Sequence, residues 1–145
     1  MVQGDRRYRD AVQPATAAPG RVPAALQDFA RQSVAAALRA PQAVERVLGE
    51  WLSDPKPEVW FTPGQAAAGA IGIDRRSRLL YDDGCIYFNG ESFRAAGRDA
   101  GLLRKLADEG RLAGTDRARF SAAAAALVDD WLRAGWLRAL DTGDR

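Results

Sequence analysis

The side chains best suited to chemistry in this sequence are scattered carboxylates and arginines. Asp129 and Asp130, taken with Glu50 or Glu91, have the residue types of paired carboxylates for acid–base work. Adjacent aspartates on a helix point in different directions, however, so they do not form a dyad by themselves. The segment GESFRAAG (90–97) places glycines near an arginine but lacks the spacing of a phosphate-cradling loop. We interpret all of these residues as surface or turn positions.

The absence of histidine is the most informative feature of the composition, because it excludes several kinds of catalytic and metal site. The sequence contains no histidine and a single cysteine, Cys85. Without an imidazole, Ser-His-Asp and Cys-His catalysis, most zinc sites and the two-histidine-one-carboxylate iron site are excluded within this chain. A lone cysteine also excludes an intrachain disulfide and a two-cysteine metal site. The sequence therefore predicts no catalytic, cofactor-binding or metal-binding residue.

The charge balance argues against nucleic acid as a partner. The 21 basic and 19 acidic residues leave a formal charge of +2, whereas a phosphate-binding footprint needs clustered excess charge. Arg75, Arg76 and Arg78 could contact phosphate, but three aspartates lie within a few residues of them, which indicates a solvated turn. The chain has no signal-peptide pattern and no apolar run of membrane length, so we expect a cytoplasmic protein with no membrane partner.

The first half of the sequence predicts two amphipathic helices. Residues 1–22 are polar, contain prolines and lack periodicity, which is typical of an extended arm or linker. Residues 23–57 carry two apolar stripes at helical spacing, separated by Pro41 and ended by the SDPKP segment. Such a helical hairpin has little apolar area of its own, so it needs a partner surface, either the C-terminal half or a second copy of the chain.

The second half, residues 65–142, predicts a small unit of strands and helices. Segments 77–81 and 85–89 flank Asp-Asp-Gly, a hairpin signal in which Asp-Gly supplies the positive φ angles of the turn. The other predicted elements are a strand at 70–74, helices ending at Gly110 and Gly135, and a strand at 136–140. The fold class is α+β, with an N-terminal helical hairpin followed by a small winged-helix-like unit that contains a β-hairpin.

The large aromatic residues divide into two groups. Trp51, Trp131 and Trp136 lie on the apolar faces of predicted elements, so we expect them in the core. Trp60 and Phe61 lie in a proline-rich connection instead. We expect this pair to hold the connection against one of the two units; the alternative is an exposed interaction patch.

Six segments of the chain, in order and with sensible spacing, resemble the C-terminal part of the bacterial cupin-type, JmjC-related ribosomal oxygenases. The segments are RYRD (7–10), PGRVPAAL (19–26), LGEWLSDPKP (48–57), RRSRLLYDDGCIYFNGESF (75–93), LLRKLAD (102–108) and WLRAGWL (131–137). Members of that family are iron(II)- and 2-oxoglutarate-dependent hydroxylases of an arginine in a ribosomal protein. They consist of a catalytic jelly-roll with an HxD…H iron site, a helical dimerisation region and a winged-helix-like unit.

The resemblance implies a non-catalytic role for this chain. Residues 20–57 match the helical region and residues 65–142 match the winged-helix-like unit, whereas the jelly-roll is absent from the sequence. Fe(II) and 2-oxoglutarate are therefore implied only for that catalytic domain. The implied partners are a second copy of the chain and a ribosomal protein substrate. The candidate dimerisation residues are Leu26, Phe29, Val34, Leu38, Val44, Val47, Leu48 and Trp51.

The resemblance also gives a structural role to the polar end of the hairpin segment. We expect Asn89 and Gly90 to make the turn after the second strand, and Glu91 and Ser92 to satisfy nearby backbone donors. Two alternatives to an oxygenase region stay open. One is a stand-alone winged-helix protein that binds DNA through a face built from Arg75, Arg76, Arg78, Arg94 and Arg98. The other is an adaptor whose dimer is its function.

Overall fold

A computed structural model of the protein describes residues 19–140. Most of the predicted arm at 1–22 and the last two residues of the predicted 65–142 unit lie outside that range. The elements are α1 (Ala24–Leu38), α2 (Ala43–Ser53), β1 (Ile71–Ile73), β2 (Leu79–Tyr81), β3 (Ile86–Phe88), β4 (Glu91–Phe93), α3 (Gly97–Glu109), β5 (Arg111–Leu112), α4 (Gly114–Arg117), α5 (Ala122–Arg133) and β6 (Leu137–Ala139). The predicted α+β class is confirmed.

The chain divides into two compact units, Met1–Ala43 and Val44–Arg145. In the first unit, helix α1 begins after Pro23, whose carbonyl oxygen accepts the Leu26 and Gln27 N–H groups at 3.1 and 3.2 Å. No residue of α1 is buried. The division leaves α2 with the second unit, whereas the sequence grouped both helices in one region at 23–57; the predicted domain boundaries remain predictions.

Two antiparallel three-stranded sheets form the second unit. In the first sheet β1 is central and pairs with β5 and β6; the second is a β2-β3-β4 meander. The predicted hairpin is present as β2 and β3, but its turn works differently from the expectation. The Asp82 carboxylate accepts the Gly84 and Cys85 N–H groups at 2.7 and 2.8 Å, and Gly84 has no positive φ. The left-handed turn lies instead between β3 and β4.

Helices α3 and α5 and the two sheets enclose one apolar core. Phe88 is its centre: its ring meets the Trp131 and Trp136 rings edge-on, at centroid distances of 4.8 and 5.2 Å. These two tryptophans therefore pack as expected. Trp51 does not, because its side chain is 72% exposed. The short elements β4, β5 and α4 had no expectation in the sequence, since two to four residues are too few to show a period.

Helices α4 and α5 form a helix-turn-helix. Ser121 caps α5 by accepting the Ala124 N–H at 3.3 Å, and its own N–H and hydroxyl donate to the Asp99 carboxylate at 3.0 and 2.6 Å. These two hydrogen bonds hold the pKa of Asp99 below its usual value. With the sheet β5-β1-β6 beside it, this arrangement is that of a winged helix. Within residues 19–140, no helix has the length and apolar character needed to cross a membrane.

Candidate docking surface

Helix α2 packs against the rest of its unit through its small and polar residues. Gly49 and Ser53 are buried, and Glu50 is half-buried. Val47 and Trp51 lie about half a turn away from Gly49 and are 63% and 72% exposed, and the other apolar residues of α2 are exposed as well. We call this set the apolar face of α2; it consists of Val44, Val47, Leu48, Trp51 and Leu52. A surface helix normally buries such a stripe, so this face is suited to a partner.

Side chains of α2 and the β3–β4 turn exchange the hydrogen bonds that set this orientation. The Gly90 N–H donates to Ser53 Oγ at 3.0 Å, and Ser92 Oγ donates to Glu50 Oε1 at 2.5 Å. We call these four residues the polar latch. Gly49 completes the contact, because its Cα lies against the Tyr87 ring and leaves no room for a Cβ. The latch attaches α2 by its polar side, which keeps the apolar face exposed.

Asn89 and Gly90 form the two-residue turn between β3 and β4, with φ angles of 49° and 87°. The Asn89 amide is buried and bridges to the two residues just before β2. Its Oδ1 accepts the Arg78 N–H at 2.9 Å, and its Nδ2 donates to Ser77 Oγ at 3.1 Å. Ser92, expected to bond to backbone, donates to the Glu50 carboxylate instead. The Asn-Gly sequence thus shapes the turn that receives α2.

A groove of about 490 Å³ lies beside α2, between this helix and the C-terminal part of α3. Its apolar lining comes from Leu48 and Leu52 of α2, Leu79, Leu80 and Tyr81 of β2, and Ala107 of α3. Its charged lining consists of three carboxylates, Glu45, Asp82 and Asp108. We call it the α2–α3 groove. Apolar walls with an acidic rim fit an apolar helix or strand that carries basic residues.

Two tyrosines donate hydrogen bonds to two of the three carboxylates of the groove, Asp82 and Asp108. Tyr87 Oη donates to Asp82 Oδ2 at 2.6 Å, which lowers the pKa of Asp82. Burial and this charged neighbour raise the pKa of Tyr87 well above its usual value. Tyr81 Oη donates to both oxygens of Asp108 at 3.0 Å, and the Arg104 guanidinium lies 5.5 Å from the Tyr81 ring centroid. Asp82 is therefore ionised at neutral pH.

The candidate dimerisation residues divide between the two helices. Leu26, Val34 and Leu38 are exposed on α1, where Phe29 is half-buried. The other four belong to the apolar face of α2. Sequence periodicity identified all eight residues but gave no sign that the α2 stripe points outward. The signal was present in Gly49 and Ser53, two small residues suited to close packing on the opposite side of that helix.

The arginines of the DNA-binding alternative are partly engaged within the protein. Arg76 donates to Asp74 at 2.8 Å and to the Trp60 carbonyl at 2.7 Å, and Arg78 reaches the Leu52 carbonyl at 3.4 Å. Helix α5 occupies the position of a recognition helix, yet four of its five consecutive alanines are exposed, together with Asp130. Base edges are read by arginine, lysine, asparagine and glutamine, and this surface offers none of them beyond Arg133.

The connection before β1 separates its two aromatic residues. Phe61 packs near Trp136, with ring centroids 6.5 Å apart, and under the Arg76 guanidinium at 5.6 Å. The Gly64 N–H donates to the Arg133 carbonyl at 3.0 Å, which holds the connection against the end of α5. Trp60 is 83% exposed. Phe61 therefore packs against this unit, as expected for the pair, whereas Trp60 is exposed.

Residues 19–140 contain no group of three or more histidine, cysteine, aspartate or glutamate side chains placed to hold a metal ion. The whole sequence also lacks histidine, the nitrogen ligand that a histidine–carboxylate iron site requires. The residues of this chain therefore do not fit an iron site of the histidine–carboxylate type.

The sheet, the helix-turn-helix and the latched β-meander define a winged-helix protein with an appended helix. The chain belongs to the ROXA-like winged helix family, whose model matches residues 26–138. This confirms the resemblance drawn from the sequence. No curated protein sequence matches the chain at a significant level.

Solved structures of an Escherichia coli protein share the fold. The X-ray structure of E. coli ycfD matches with a TM-score of 0.60 and 19% identity, over 91% of this chain and 39% of that one. A structure of YcfD described as a ribosomal oxygenase in complex with cobalt and succinic acid matches with a TM-score of 0.60 and 20% identity, over 91% and 40%. The chain thus spans about 40% of the length of these structures. At this identity the likeness is one of fold.

Proposed function

We propose that this chain is a non-catalytic dimerisation and docking region of a cupin-type ribosomal oxygenase. The observation that carries the proposal is the apolar face of α2, which the polar latch holds outward in a chain of the ROXA-like winged helix family. A helix fixed in this way gains stability from a covering partner. The partners are a second copy of the chain and a ribosomal protein, and the compartment is the cytoplasm.

The catalytic step belongs to another part of such an enzyme. One matching YcfD structure is described as a complex with cobalt and 2-oxoglutarate. In our proposal Fe(II) and 2-oxoglutarate bind the jelly-roll domain of the full enzyme, and no residue of this chain ligates either of them. The contribution of this chain is to pair two catalytic domains and to offer a surface to the substrate protein.

The stand-alone DNA-binding alternative has less support. It requires a positive face, but Arg76 is paired with Asp74, and α5 exposes mainly alanine. Binding to DNA that weakens steeply with salt would restore this alternative.

The dimer is tested by measuring the mass of the full chain in solution by light scattering. We expect about twice the 15.7 kDa of one chain. Trp51→Glu places a charge at the centre of the apolar face and should give the monomer mass. Trp60→Glu is the matched control, because Trp60 is also a highly exposed tryptophan but lies outside this face. A monomeric wild type, or equal effects of the two variants, would contradict dimerisation through α2.

The oxygenase assignment is tested in the source cells with an antibody raised against this chain. We expect a native protein longer by roughly the 200 residues of a jelly-roll domain. Detection of the 15.7 kDa species alone would contradict the assignment and leave the dimer result standing.

A further inference from the structure

Strand β2 is a free edge of the β2-β3-β4 meander, and this edge faces the α2–α3 groove. Leu80 and Tyr87 lie opposite each other on the face of the sheet where the Tyr87 ring contacts α2. Leu79 and Tyr81 point to the other face, where the Tyr81 hydroxyl donates to Asp108 of α3. The groove is therefore a slot that continues the plane of the sheet, with one helix on each side.

The backbone of β2 has unpaired hydrogen-bonding groups along this edge. Backbone hydrogen bonds of 3.2 and 3.0 Å connect Arg78 and Asp82, on either side of β2, to the chain around β3. Paired and unpaired positions alternate along an antiparallel strand, so Leu80 is also paired, whereas Leu79 and Tyr81 turn their N–H and C=O groups away from β3. Within residues 19–140, these four groups have no hydrogen-bond partner. Such an edge is a template for another extended chain.

We infer that the slot binds an extended segment of a partner protein, which adds a fourth strand beside β2. The inference rests on the proposed docking role and names its surface and the chemistry of its ligand. An added strand can use the free groups of Leu79 and Tyr81, whereas a helix has already paired its own backbone groups. Alternate side chains of that strand meet Leu48 and Leu52 of α2 on one face and Ala107 of α3 on the other. Because both walls are apolar, the slot favours an apolar run as long as the three-residue β2.

The carboxylates of the groove lie toward the C-terminal end of β2 and select a basic ligand. Asp82 directly follows β2, and Asp108 accepts the Tyr81 hydroxyl at 3.0 Å. Glu45 lies in the first turn of α2, whose last residue contacts the β3–β4 turn at the opposite end of the slot. The Arg104 guanidinium lies beside the acidic end and donates to the Asp82 carbonyl at 3.2 Å, so three negative charges face one positive charge. A segment with lysine or arginine next to its apolar run is complementary to these charges.

Binding of a synthetic peptide to the full chain tests the added strand. The probe is fluorescein-labelled Lys-Lys-Val-Ile-Val-Lys-Lys, and its binding is measured by fluorescence anisotropy. The matched peptide has the same sequence and charge but carries N-methyl groups on its three apolar residues, which removes the backbone donors of the strand. We expect the methylated peptide to bind at least about tenfold more weakly, because two or more hydrogen bonds are lost. Equal binding of the two peptides would mean contact through side chains alone and would overturn the inference.

Amide hydrogen exchange, followed residue by residue by NMR, locates the strand on the chain. We expect the Leu79 and Tyr81 amides to exchange freely without the peptide and to become protected when the probe saturates the chain. The Leu80 amide is the internal control, because its pairing with β3 protects it in both states. Protection of Leu79 and Tyr81 without the peptide would overturn the inference, since a segment of this chain or of a second copy would then fill the slot.

A charge variant tests the selection of a basic ligand. Glu45→Gln combined with Asp108→Asn keeps the shape of the groove and removes two of its charges, so we expect the probe to bind several-fold more weakly. Glu109→Gln is the matched control, because Glu109 is exposed on α3 but does not line the groove, and it should bind like the wild type. Equal binding of all three proteins would contradict the charge selection. A dimer by light scattering that does not bind the probe would overturn this inference alone, whereas a monomer that binds it would remove only the proposed dimer.

Discussion

Asn89 and Gly90 carry more of this structure than two turn residues usually do. They shape the β3–β4 turn, and they also supply one side-chain acceptor, one side-chain donor and two backbone N–H groups to their neighbours. The amide of Asn89 fixes the β3–β4 turn to the residues just before β2, while the N–H of Gly90 donates to Ser53 of α2. At the residue scale, the orientation of the apolar face therefore depends on a few polar atoms.

Gly90→Ala tests the left-handed turn. At φ 87° a Cβ is strained by roughly 1–2 kcal/mol, and it would also approach Asp54 Oδ1 to 3.0 Å. We expect the free energy of unfolding, measured with urea, to fall by at least that amount. Gly101→Ala is the matched control, because Gly101 lies within α3 with open space around it and should gain up to about 1 kcal/mol. Equal effects of the two substitutions would contradict the role of the turn.

The ionisation of Tyr87 lowers the free energy of unfolding at alkaline pH. Its pKa is raised in the folded state, so its contribution is complete below the unfolded value of about 10 and is lost as pH rises toward the folded value. We expect the free energy of unfolding to decline above about pH 10 in the wild type. Tyr87→Phe should flatten that decline, whereas Tyr81→Phe, at an exposed tyrosine, should change it less. Parallel profiles for wild type and Tyr87→Phe would refute this account.

At the scale of elements, the sequence predicted the helices better than their orientation. The period of Val44, Val47, Leu48 and Trp51 identified α2, because periodicity depends only on neighbours along the chain. Which side of α2 is buried depends on hydrogen-bond partners 37 and 42 residues away, which the period of the helix does not reveal; the small residues Gly49 and Ser53 are its one local sign. The same reason explains the β2–β3 turn: the Asp82 carboxylate, and not a positive φ at Gly84, closes it.

Ser53→Ala tests the contribution of α2 to the polar latch. Ser53 is fully buried, and its hydroxyl accepts the Gly90 N–H while it donates to the Glu50 carbonyl at 3.2 Å. Loss of the hydroxyl leaves a backbone donor without its partner, so we expect a loss of about 1–3 kcal/mol in unfolding free energy. Ser33→Ala, on exposed α1, is the control and should be neutral or slightly stabilising. If Ser53→Ala were equally neutral, the Gly90–Ser53 hydrogen bond would not contribute to holding α2.

At the scale of the whole molecule, the described residues combine one well-packed core with two helices whose apolar residues remain exposed. The core of α3, α5 and the sheets accounts for the buried large side chains. The exposed large hydrophobic residues lie mainly on α1 and α2. We expect such a chain to gain stability when a partner covers the two helices, because this contact buries apolar surface that the single chain leaves exposed.

The melting temperature of the full chain should therefore rise with protein concentration. Association stabilises the folded state by mass action, so a dimer melts higher in concentrated solution, whereas a monomer melts at one temperature. We expect the rise in the wild type and in Trp60→Glu, and its loss in Trp51→Glu, when melting is followed by calorimetry over a hundredfold range of about 1–100 μM. A melting temperature independent of concentration in the wild type would mean that the latch presents α2 to some other molecule than a second copy of this chain.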